Sequence, residues 1–100
     1  MDTHETHHIL FMQLVYMLHA AAMHQLGKVK NPLTGKVERD LQSAQSTIDM
    51  LEMLSERTKG NLSMEEQKLL SAVLMELRLN YVDEAAKPDL PREPAGGQPS

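Results

Sequence analysis

The chain has 100 residues, enough for one domain that buries only a modest share of its surface unless it associates with something. Apolar residues make up 41% but aromatics only 3%, with no Trp, so Leu, Met, Val, Ile and Ala must build the core, and such a composition mostly favours helices. A formal charge of −4 gives no general attraction to nucleic acid or anionic lipid, and the lack of Cys excludes disulfides and thiolate metal sites.

The first predicted element is a long apolar helix over about 5–26, ending at Gly27, which suits the left-handed position after a helix. Its stretch "ILFMQLVYMLHAAAM", Ile9–Met23, is interrupted by Gln13 and His19 and is too short for a membrane span, which needs about 20 apolar residues. No membrane insertion is expected. The first Lys or Arg is Lys28, so no signal peptide is readable, and a cytoplasmic protein is the expectation. Apolar side chains cover most of this helix, leaving a wet strip through Gln13, Ala20 and His24. That pattern predicts neighbours on most sides.

"KVKNPLTGKVER", Lys28 to Arg39, follows as a connection with Asn-Pro and Thr-Gly turn signals, and it is the one markedly basic segment. Asp40 is a plausible N-cap for a second helix over about 41–59, whose Leu41, Ala44, Ile48 and Leu51 keep a three-four spacing. Gly60 stops it. Ser63-Met64-Glu65-Glu66 is a capping box that starts a third helix over about 64–86, closed by Pro88. With so few residues between Gly60 and Ser63, these two helices must form an antiparallel hairpin. The reading is therefore all-α: one helical domain over 1–86 and a disordered Pro/Gly-rich tail over 87–100.

The third helix carries two apolar stripes. Leu69, Leu70, Val73, Leu74, Leu77 and Tyr81 form one, while Ala72, Met75, Leu79, Val82 and Ala86 lie nearly opposite. A three-helix bundle needs only the first. In the second helix Met50 and Met53 also lie away from the core-facing side. Each such side chain left in water forgoes roughly 1.5–3 kcal/mol, so a handful rivals the stability of a small domain. A homodimer is the expected solution, with an interface through Leu14, Met17, Leu18, Met50, Met53, Met75, Leu79 and Val82. The first helix is expected near its centre, and a different protein is the other candidate partner.

"NPLTGK", "TIDMLEMLSERTKGNL" and "ELRLNYV" resemble, in that order, a family of short bacterial proteins known as the domain of unknown function DUF1844. The similarity runs from about Phe11 to Val82 and leaves out the histidine-rich start and the Pro-rich tail. It implies a bacterial intracellular helical protein and carries no mechanism.

Individual sites point to little chemistry. "HETHH", His4 to His8, fits the H-E-x-x-H zinc-protease pattern, but Phe11 and Leu14 stand where the extended form needs Gly and His, and nothing reads as a strand to line a peptide cleft. Adventitious chelation by His4 and His8 is the metal reading left. No metal, cofactor or catalytic residue is expected. His19 is read as an imidazole buried and hydrogen-bonded in an apolar interface, and the eight methionines as core and interface filler. Lys28, Lys30, Lys36 and Arg39 form a candidate anion-binding loop for phosphate or RNA, although no P-loop pattern accompanies them. The expected function is a non-enzymatic interaction or scaffold module. Phosphate or RNA binding through the basic loop is the alternative, and metal binding through the N-terminal histidines a distant one.

Overall fold

A computed structural model of the chain describes residues 2–88. The expectation of a disordered tail falls, from residue 89 onward, outside the described residues. Three helices make up the fold: α1 (Thr3–Gln25), α2 (Leu41–Arg57) and α3 (Met64–Ala85). No strand occurs among the described residues, only an isolated antiparallel bridge between Lys30 and Val37. The fold is all-α, and no described helix is long and apolar enough to cross a membrane.

Local chemistry sets the helix ends. The Asp2 carboxylate accepts from the Glu5 amide at 2.8 Å while Glu5 Oε1 accepts from the Asp2 amide at 3.2 Å, a capping box that starts α1 ahead of the predicted Glu5. At the other end Gly27 takes φ +79°, and its amide and that of Lys28 donate to His24 and Met23 carbonyls. This pair of bonds closes α1 in a Schellman turn. Asp40 accepts from the Ser43 hydroxyl and amide at the head of α2, and these bonds, the hydroxyl's foremost, hold its carboxyl below the usual range. Ser63 and Glu66 form the expected box at the head of α3.

Cross-links between helices fix their directions. His8 meets Glu66, His19 meets Glu76 and Lys28 meets Asp83, so α1 and α3 are traversed in the same sense and run parallel. The Asp40 amide donates to the Gln25 carbonyl at 2.7 Å, and Thr47 Oγ1 donates to Gln25 Oε1 at 2.7 Å. The head of α2 thus lies beside the end of α1, and α2 returns antiparallel to both neighbours. Inside this up-down-up bundle lie Val15, Ala22 and Leu26, Ala44, Ile48 and Leu51, and Leu70, Val73, Leu74 and Leu77, all buried.

Within the single chain α1 has neighbours along one flank: Val15 and Ala22 are its buried residues, while Ile9, Leu10, Leu14, Tyr16 and Met17 are exposed. The reason is geometric. In a three-helix bundle each helix meets two others along one flank, and the remaining circumference faces outward whatever its composition.

Candidate functional site

Eight of the exposed large apolar residues fall on two faces. On α1, Leu14 lies about three turns before Gln25 on the same line, so it belongs to the flank turned toward α2; Leu10 and Met17 lie next to it. Met50 and Met53 on α2 rotate from Thr47 away from the core, and Thr47 is hydrogen-bonded to Gln25 of α1. Leu10, Leu14, Met17, Met50 and Met53 therefore share an α1/α2 face. The second face belongs to α3, where Met75, Leu79 and Val82 are 64–66% exposed on the side opposite Leu70, Val73 and Leu77. Of the eight residues expected at one dimer interface, seven are exposed but split over these two faces, and Leu18 packs against the core. Helical periodicity identifies apolar flanks without placing them around a bundle.

Beside the α3 face runs an open groove of about 650 Å³ lined by Glu52, Ser55, Met75, Arg78, Leu79 and Val82 among others. Arg78 and Glu52 form an ion pair across it that joins α3 to α2. The pair is half-exposed, so it adds little stability and chiefly places one cation at the groove's edge.

The candidate anion-binding loop does not stand open as four cations. Lys28 Nζ lies 2.7 Å from Glu84 Oε2 and 3.0 Å from Asp83, and Arg39 Nη1 lies 3.1 Å from Glu84 Oε1. Lys87 reaches the same Glu84 at 2.9 Å. Arg39 also donates to the Glu84 and Pro88 carbonyls at 3.2 and 3.0 Å, tying the last turn of α3 and the chain just after it to the loop. An acidic residue in a last turn opposes the helix dipole, and the three cations around Glu84 offset this. Hydrogen bonds from Lys28 and then Lys87, with Arg39 adding to them, hold the Glu84 carboxyl down at about 2. A carboxylate buried in this way already takes up two of the loop's cations.

Lys30 and Lys36 sit on the outer part of the loop, which organises itself. Asn31 Oδ1 accepts from the Leu33 amide, the Asn31 carbonyl accepts from the Gly35 amide and the Lys36 carbonyl accepts from the Asn31 amide. The result is a small hairpin with Leu33 93% exposed at its tip.

The H-E-x-x-H residues take structural roles. Glu5 caps α1, His8 Nδ1 lies 2.9 Å from Glu66 Oε2, and His4 and His7 are exposed. Together with the Ser63 amide, which is the larger influence, His8 keeps the Glu66 carboxyl below its ordinary value. Among the described residues no three His, Asp or Glu side chains gather so as to hold a metal ion. Within the single chain His19 is part-buried, with 28% of its side chain exposed, and faces Glu76 at 3.1 Å.

Sequence reasoning missed Glu84 and the burial of Glu66, the two carboxylates buried among the described residues. Glu66 carried a signal, since it was already recognised as a capping residue. Glu84 carried little, because "VDEAAK" reads as a solvated last turn and two of its three cations, Lys28 and Arg39, come from far along the chain.

Residues 8–84 match the family model described as Domain of unknown function (DUF1844). No curated protein and no solved structure matches the chain. His4, Glu5 and His7 lie outside the matched region, as does everything after Glu84.

Proposed function

We propose that the chain, which belongs to the DUF1844 family, is a non-enzymatic interaction module that works as a cytoplasmic homodimer. The observation that carries this reading is the exposure of Met75, Leu79 and Val82, each about two-thirds in water on a helix whose opposite side is already the core. Monomers rarely leave large contiguous apolar surface unpartnered, and covering three such side chains is worth roughly 1.5–3 kcal/mol each. Self-association is the commonest way to do so.

Light scattering on the untagged chain tests it. A mass of twice 11.3 kDa at micromolar concentration is expected. A stable monomer under those conditions overturns the reading. Phosphate or RNA binding through Lys28, Lys30, Lys36 and Arg39 is the weaker alternative, because Lys28 and Arg39 face Glu84 and would have to leave it to reach a phosphate.

A further inference from the structure

We infer that the two copies join through α3, packed parallel and in register against α3 of the second copy; this rests on the homodimer reading above. Ala72, Met75, Leu79, Val82 and Ala86 alternate three-four-three-four, the spacing of the a and d positions of a coiled coil. All five are exposed, while the stripe that α3 gives to its own bundle, Leu70, Val73, Leu74 and Leu77, is buried. One helix thus carries two complete contact faces, and the bundle uses one of them. Two heptads are too short to hold isolated helices together, but α3 is already held by its own core, so the seam has only to join preformed surfaces.

Charge selects the second copy and its direction. With Ala72, Leu79 and Ala86 at a and Met75 and Val82 at d, the positions flanking the seam are Glu76 and Asp83 on one side and Arg78 on the other. In a parallel pair these opposite flanks meet, and Arg78 of one copy faces Asp83 of the other, five residues on. In an antiparallel pair like flanks meet, bringing Glu76 and Asp83 against the acidic flank of the second copy. Like charges placed so are unfavourable. Arg78 and Asp83 have partners within their own chain, Glu52 for the first and Lys28 and Lys87 for the second, yet each keeps more than half its side-chain surface open. Each has room for a contact across the seam.

The chain has no cysteine, so single introduced thiols report this arrangement cleanly. Ala72→Cys and Val82→Cys are made separately in the full chain and oxidised mildly, each alone and the two mixed, and their masses are also measured by light scattering under reducing conditions. Both variants should be dimers, and both should form a disulfide with their own kind, while Gln42→Cys, exposed on α2, should not. No antiparallel register sets residue 72 and residue 82 each opposite its own copy. Linkage of Ala72→Cys to Val82→Cys, without either linking to itself, overturns the parallel arrangement. A dimer that links at neither site overturns the α3 seam and leaves the homodimer reading standing, whereas a monomer overturns both. Leu79→Glu should abolish the dimer while leaving helix content unchanged, because Leu79 lies outside the core. A Leu79→Glu variant that remains dimeric overturns the seam.

Discussion

Arg39 and Glu84 meet with their charged groups 3.1 Å apart and each side chain only 6% exposed, so the residue that leads into α2 and the last turn of α3 are joined by a buried ion pair. The same guanidinium bonds the carbonyls of Glu84 and Pro88, which makes Arg39 both the counter-ion and the cap of α3. Removing one member strands the other's charge out of water. Glu84→Gln is therefore expected to lower unfolding stability by about 3 kcal/mol, the lower end for a broken buried pair because Lys28 and Lys87 can turn to solvent. Urea denaturation measures this, and a loss below about 1 kcal/mol would contradict it.

The pH dependence follows with a fixed sign. Glu84 titrates at about 2 in the folded chain against an ordinary 4.5, so as pH falls the unfolded chain takes up its proton first. Its contribution is present above pH 4.5 and is lost as pH falls from 4.5 toward 2. Glu66, whose carboxyl is also lowered, acts in the same direction. The urea midpoint should fall through this range. In Glu84→Gln the fall should be visibly shallower, and an unchanged slope would refute the assignment.

Two glycines with positive φ separate backbone strain from crowding. A Cβ on Gly60 meets nothing within 4 Å, so Gly60→Ala carries only the left-handed penalty of roughly 1–2 kcal/mol. A Cβ on Gly27 would lie 3.2 Å from Arg39 Cβ and 3.5 Å from its Cγ. That contact pushes at the root of the side chain that holds Glu84. Gly27→Ala should cost at least a further 1 kcal/mol or so and should flatten the acid limb of the stability profile as Glu84→Gln does. Equal midpoints for the two alanine variants would argue against the crowding.

Glu5 offers a test of the zinc-protease look-alike. Its carboxylate accepts from the Asp2 amide, so Glu5→Ala should lower stability by about 1 kcal/mol, as the loss of a cap does. Zinc titration calorimetry should give the same trace for the variant and the parent. A stoichiometric zinc site abolished by Glu5→Ala would overturn the capping role.

What the sequence made legible is what local chemistry dictates. Ser63 with Glu66, Asp40 with Ser43, and the glycine after α1 all act within a few residues of one another, so the three helices and their order could be read directly. The two stripes of α3 were also readable, since a period of 3.6 residues is a property of the chain alone. The arrangement around the bundle was not. Whether Met50 sits beside Leu14 or beside Met75 depends on which flanks the helices turn to each other, and that is decided by distant pairs such as Thr47 with Gln25. Glu84 escaped for the same reason: its three cations come from positions 28, 39 and 87, and nothing near residue 84 announces two of them. Asp2 escaped for another reason, because the neighbouring histidines suggested metal chemistry where the residues were making a helix start.

The bond between the Asp40 amide and the Gln25 carbonyl has one more consequence. It brings the feet of the intervening stretch together, so the part between Lys28 and Arg39, which are both held on Glu84, is a pendant that bridges no distance between helices. Its length is free of the constraint that packing normally sets on a connector, and doubling it would add only about 0.6 kcal/mol of closure entropy. Whatever fixes the identity of Leu33 at its tip, the need to reach from one rod to the next is not it.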